Sequence, residues 1–133
     1  MFFLVGPTAV GKSEIAVEAA LRSDAEIVGA DAFQVYQGLD LLTAKPAPHL
    51  RAKVRHHLIG EIPLREKFDV ARYRDMALDQ VREIESRGKC ALVVGGTGLY
   101  IRALTHGLSE LPEADPALRR ELEALTLAQL QER

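Results

Sequence analysis

The chain has 133 residues, 47% hydrophobic and 27% charged, which suits one soluble globular domain with a core of its own. No apolar run is long enough to cross a bilayer, and the opening MFFLVG, broken at Gly6, is too short for a signal peptide, so a cytosolic (cytoplasmic) protein is expected. A single cysteine, Cys90, excludes an intrachain disulfide and a thiolate metal cage, and a net charge of −2 excludes a global pull toward nucleic acid.

In chain order, Phe2 to Val5 reads as a short buried strand, followed by a glycine-containing loop and a helix from Lys12 to Arg22. Ile15, Ala16, Ala19 and Ala20 give that helix a small-residue face suited to close packing on a sheet. The run AEIVGAD is a second strand, ending at a carboxylate, Asp31. From there to Ile62 the signals are mixed, and Pro46, Pro48 and Pro63 cut any long helix. Within this stretch, Leu41 to Gly60 holds no carboxylate but contains Lys45, Arg51, Lys53, Arg55, His49, His56 and His57. Such a patch is either a solvated face or a contact for a polyanion.

The clearest helix is DVARYRDMALDQVREIESRGK, in which Val70, Tyr73, Ala77, Val81 and Ile84 recur at steps of three or four, with Asp69 as N-cap and Gly88 as stop. It leads into CALVVGG, a third strand, in which Cys90 reads as a small buried apolar residue. Thr97 then begins a helix through GLYIRAL, and Asp115 with Pro116 opens another, with Leu118, Leu122 and Leu125 on one side. Strands alternating with helices predict an α/β fold, a P-loop NTPase-like parallel sheet flanked by helices. Three strands are few for that design, so the sheet is expected to be incomplete and the chain to be the N-terminal part of something longer.

Gly6, Gly11, Lys12 and Ser13 satisfy G-x-x-x-x-G-K-[ST], between a strand and a helix as the motif requires. Chance would produce it in about one chain in two hundred of this length, so phosphate binding is the expectation. The glycines let backbone N–H groups turn inward toward phosphate oxygens, Lys12 adds a point charge, and Ser13 offers a hydroxyl to a magnesium ion. A typical ATPase or GTPase carries a metal-holding acid at the end of a later strand. Here the third strand ends in Gly95 and Gly96, and the acid, Asp31, follows the second, which weighs against simple triphosphate hydrolysis.

Four blocks in order, GPTAVGKS, DAFQVYQGLD, TAKP with HHLIG after it, and VVGGTGLYIRAL, together resemble the tRNA dimethylallyltransferase (tRNA isopentenyltransferase) family over essentially the whole chain. The resemblance implies a P-loop fold whose loop holds the diphosphate of dimethylallyl diphosphate. It also implies an enzyme that moves the five-carbon prenyl group to N6 of the adenosine just 3′ of the tRNA anticodon. Gly6, Pro7, Thr8, Ala9, Val10, Gly11, Lys12 and Ser13 match the diphosphate loop, with Mg2+ as cofactor on Ser13.

Asp31 matches the family's catalytic aspartate, the base that takes the N6 proton, and Lys12 and Thr97 stand where the departing diphosphate needs stabilising. The segment Asp31, Ala32, Phe33 and Gln34 matches the part that meets the tRNA. Many family members carry serine where this chain has Ala32, and Gln34 suits a paired hydrogen bond with an adenine edge. Thr97, Lys45 and Arg119 complete the expected tRNA contacts, while His56 and His57 read as structural. The expected partners are tRNA, through its anticodon stem-loop, and dimethylallyl diphosphate, with no membrane and a monomeric enzyme. An adenylate isopentenyltransferase, a small-molecule P-loop kinase, and an inactive diphosphate-binding fragment are the alternatives. The last is sharpened by length, because family members are usually more than twice as long and the absent part would carry most of the tRNA-gripping helices.

Overall fold

Two six-residue strands, apolar but for Glu26, form the middle of a parallel sheet, β2 (Ala25–Ala30) beside β4 (Cys90–Gly95), in register from Ala25↔Cys90 to Ala30↔Gly95. Every residue of β2 is buried, as expected of a strand covered on both faces. On one side β1 (Phe2–Val5) pairs with β4, and on the other β3 (His56–His57) pairs with β2, giving the order β1-β4-β2-β3 with all pairs parallel. The computed structural model describes residues 1–109 and 115–132.

The sheet has four strands where sequence periodicity shows three. The extra strand, β3, is two residues long, too short to display an alternation, and it is held by pairing to β2, including Ile27 N–H donating to Arg55 O at 2.9 Å.

Helices cover both faces. On one, α1 (Lys12–Arg22) and α2 (Pro48–Arg51) pack over Ala25, Ile27 and Leu92. On the other, α3 (Val70–Ser86) and α4 (Gly98–His106) cover Val28, Ala30, Ala91 and Val93. Helix α3 follows the sequence pattern: Tyr73, Ala77, Val81 and Ile84 are buried, Asp69 accepts the Arg72 N–H at its N-terminus, and Gly88 adopts φ +77° beyond its end.

The face of α1 differs from expectation. Ala16, Val17 and Ala20 are buried, whereas Ile15 and Ala19 face outward, because the stripe that meets the sheet runs through 16, 17 and 20. Cys90 is only half-buried, at the start of β4. The last helices, α5 (Pro116–Glu123) and α6 (Leu127–Gln131), bury no residue. Asp115 caps α5 as expected, accepting from Ala117 and Leu118 N–H. Leu118, Leu122 and Leu125 share a side of that helix region without meeting the core. Among the described residues no helix is long and apolar enough to cross a membrane.

Candidate active site

Three strand ends converge, and each releases one part of the site. After β1 the chain enters the loop Gly6–Gly11, after β2 it reaches Asp31, and after β4 it passes through Gly95 and Gly96 to Thr97. Crevices beyond the carboxyl ends of parallel strands are where α/β sheets hold ligands.

The loop turns tightly through left-handed backbone at Ala9 (φ 66°) and Gly11 (φ 80°), and Gly11 is the N-cap of α1. The helix N-terminus therefore opens on the loop's concave side, where its free N–H groups and dipole favour an anion. The Lys12 ammonium is held over the loop by donating to Pro7 O.

The paired glycines have a packing reason that their spacing does not reveal. A Cβ on Gly95 would lie 2.1 Å from Ala30 O, and one on Gly96 would lie 2.8 Å from Gly6 O. Their bareness lets the end of β4 close against the ends of β2 and β1, sealed by Gly6 N–H to Gly95 O at 3.3 Å and Thr97 N–H to Ala30 O at 3.1 Å. Thr97 is thereby brought to Ala32, whose N–H donates to Thr97 Oγ1 at 3.0 Å. Thr97 stands at the N-cap position of α4 but makes no side-chain cap there. Its oxygen is fixed by Ala32, and its hydroxyl proton remains available to a ligand.

Asp31 is oriented from its own turn. Oδ1 accepts the N–H groups of Phe33 (2.9 Å) and Gln34 (3.2 Å), which leaves Oδ2 without a hydrogen-bond partner among the described residues.

A cavity of about 400 Å³ is lined by the loop, Asp31 and Gly95, while Thr97, held at Ala32, stands outside its lining. Its polar rim includes Thr8, Ala9, Gly11, Lys12, Ser13, Asp31 and Gln34, and its wall is apolar, with Ala16, Ile27, Leu50, Ile59 and Val94. Sequence reasoning missed the apolar wall, because its members come from α1, β2, α2, β4 and a loop and share no spacing. Among the described residues no group of three or more His, Cys, Asp or Glu side chains could cage a metal.

Two side chains read as tRNA contacts are engaged inside the protein. Gln34 Nε2 donates to Thr43 O and Ala44 O, both at 3.1 Å, so its amide hydrogens hold the loop that follows and its carbonyl has no partner among the described residues. The Lys45 side chain is 2% exposed, donating to Gly38 O and pairing with Asp40 Oδ1 at 2.7 Å. It staples the 38–45 loop along the rim of the cavity, which it lines. Burial of this cation follows from those two acceptors. Phe33 is 72% exposed, beside the rim, and Arg119 lies on α5 paired with Glu123 at 3.2 Å, away from the cavity lining.

His57 is structural, as its sequence context suggests. It is buried against Glu26, Nε2 to Oε2 2.7 Å, and Arg87 meets the same oxygen at 2.8 Å. Burial pushes the Glu26 carboxyl up, but the His57 hydrogen bond and the charges of Arg87, His57 and Arg55 outweigh it and hold it below its ordinary value. His56, half-buried, donates from Nδ1 to Val54 O at 2.7 Å. Desolvation, against that hydrogen bond and with help from Arg51, keeps its pKa below the usual histidine range.

A family model described as IPP transferase matches residues 34–133. The tRNA dimethylallyltransferase 2 of Geotalea uraniireducens is 52% identical over 122 residues, 92% of this chain and 39% of its own length. The tRNA dimethylallyltransferase of Deinococcus radiodurans is 48% identical over 130 residues, 98% of this chain and 41% of its own length, so its similarity takes in the glycine loop ahead of the matched model. Among solved structures, the full-length tRNA isopentenylpyrophosphate transferase of Bacillus halodurans superposes with a TM-score of 0.79 at 42% identity, over 92% of this chain and 41% of that one. A eukaryotic dimethylallyltransferase acting on tRNA superposes with a TM-score of 0.83 at 25% identity, over 95% of this chain and 32% of that one. The chain thus spans about two-fifths of the length of the curated relatives it matches.

Proposed function

Since the chain belongs to the IPP transferase family, we propose that it carries the diphosphate loop and catalytic acid of an enzyme that transfers a dimethylallyl group from dimethylallyl diphosphate to N6 of the adenosine 3′ of a tRNA anticodon. The observation that carries this reading is one cavity lined by both a phosphate loop and a carboxylate, over an apolar wall. A short branched hydrocarbon bearing a diphosphate has that same division of polarity.

The loop amides, Lys12 and the start of α1 bind the diphosphate, and the prenyl group lies toward Ile27, Leu50 and Val94. N6 of adenine is a weak nucleophile because its lone pair is delocalised into the ring, so a base is needed to take its proton as the new bond forms. As the N6 lone pair forms the new bond to C1 of the prenyl group, Asp31 Oδ2 takes the N6 proton and the C1–O bond breaks. The products are the N6-prenylated adenosine and diphosphate, whose growing charge Lys12 and the Thr97 hydroxyl meet. Ser13 lines the same cavity and presents a hydroxyl oxygen, a hard donor of the kind magnesium accepts beside phosphate oxygens and water. It would hold a magnesium ion there, which when bound supplies positive charge to the leaving group.

In this reading the enzyme works in the cytoplasm, where its tRNA is found, and acts as a monomer. The test is to give the chain dimethylallyl diphosphate and an anticodon stem-loop and to look by mass spectrometry for an adenosine heavier by one prenyl group, with Asp31→Asn as control. The chain is used alone and joined to the remaining part of the Geotalea relative. An adduct formed equally well by Asp31→Asn, or none from the joined protein, would overturn the reading.

A further inference from the structure

A second cavity, of about 440 Å³, lies next to the first and is lined by Pro48, Arg51, Ala52, Arg55 and His56. His56 lines both. The cavity sits within the carboxylate-free stretch from Leu41 to Gly60.

Arg51 and Arg55 have no ion-pair partner among the described residues, and the carboxylates that feel them are already taken. Asp40, which senses Arg51, is bound by Lys45, and Glu26, which senses Arg55, is bound by His57 and Arg87. Two guanidinium groups thus border one cavity with donors to spare. A guanidinium fork matches phosphate oxygens in pairs, which an ammonium does not.

We infer that the Arg51–Arg55 cavity holds the sugar–phosphate backbone of the single-stranded nucleotides flanking the acceptor adenosine. The inference rests on the functional reading above. A base drawn into the first cavity brings its neighbouring phosphates with it, and the cationic cavity adjoins the first through His56. An acidic protein segment is the competing occupant. The adjacency to a cavity that must receive a base favours the nucleic acid.

The test measures binding of an anticodon stem-loop to the 133-residue chain across a salt series, for the wild type, an Arg51→Ala/Arg55→Ala double variant, and an Arg74→Ala/Arg82→Ala control that removes the same charge from α3. Loss of two single-strand phosphate contacts predicts about a tenfold weaker Kd and a salt slope shallower by about 1.4. The control should keep the wild-type slope, and all three should bind dimethylallyl diphosphate alike. An unchanged slope in the double variant, an equal loss in the control, no RNA binding by the wild type, or poly-glutamate competing as well as RNA of equal charge would each overturn the inference. Failure of dimethylallyl diphosphate to bind the wild type would instead strike the functional reading.

Discussion

At the scale of single residues, the site is built from side chains with one half of their hydrogen-bonding capacity fixed and the other half free. Asp31 spends Oδ1 on its own turn and Thr97 spends an acceptor on Ala32 N–H, so each is oriented before a ligand arrives. Asn in place of Asp31 keeps the turn but cannot take a proton. Asp31→Asn is therefore expected to lower single-turnover prenyl transfer by about 10²–10⁴-fold with unchanged thermal stability, whereas Asp31→Ala loses both. Thr97→Val should lower stability by about 1 kcal/mol, through the orphaned Ala32 N–H, and transfer by about 10²-fold, with Thr97→Ser restoring both in a rate assay and a melt. Tyr73 shows the opposite economy. Its ring stacks on Tyr100 with centroids 3.7 Å apart, and its buried hydroxyl has no partner among the described residues. Burial, then the neighbouring Tyr100, drives its pKa upward, away from any titration near neutral pH. Tyr73→Phe should leave the melting temperature unchanged or raise stability by up to about 1 kcal/mol, since it deletes a desolvated group and keeps the ring.

At the scale of elements, the glycines closing β4 and the buried ion cluster at the other end of β2 hold the sheet from opposite ends. A methyl group on Gly95 runs into Ala30 backbone, which no side-chain rotation relieves, so Gly95→Ala is expected to cost about 3 kcal/mol in a denaturant titration and to move Thr97 from Ala32. Glu26 joins β2 to β3 through His57 and to the end of α3 through Arg87. Its folded pKa lies below the ordinary 4.5, so the ionised form is the one the fold favours. That contribution is present above the unfolded value and fades as pH falls through the folded one. Acidification below about pH 4.5 should therefore destabilise the wild type more steeply than Glu26→Gln, as read from midpoints of denaturant unfolding across pH. The short β3 depends on this cluster and on pairing to β2, which is why a two-residue strand persists at all.

At the scale of the whole molecule, β1 is the edge of the sheet and carries exposed Phe2 and Val5, while the chain spans about two-fifths of its relatives' length. The expected consequence is that the isolated chain binds dimethylallyl diphosphate but transfers the prenyl group far more slowly than when joined to the rest of a relative. Equal single-turnover rates for the two would refute this. The glycine loop between β1 and α1, the acid after the second strand, helix α3 with its cap, and the family were all legible in the order of residues, because each rests on local spacing: a turn that needs glycines, a 3.6-residue period, a side chain reaching its own backbone two or three positions on. Tertiary structure alone decided which face of α1 is buried, that His56–His57 is a strand, that Lys45 and Gln34 brace a loop, and that Gly95 and Gly96 are bare to let three strand ends meet. The strand and the glycine contacts depend on atoms brought together from 28 to 90 positions apart in the chain, Ile27 with Arg55 and Gly6 with Gly96 among them, and the bracing of the loop on which acceptors the fold leaves beside Lys45 and Gln34. Spacing along a sequence does not encode such meetings, because they exist only after the sheet has closed.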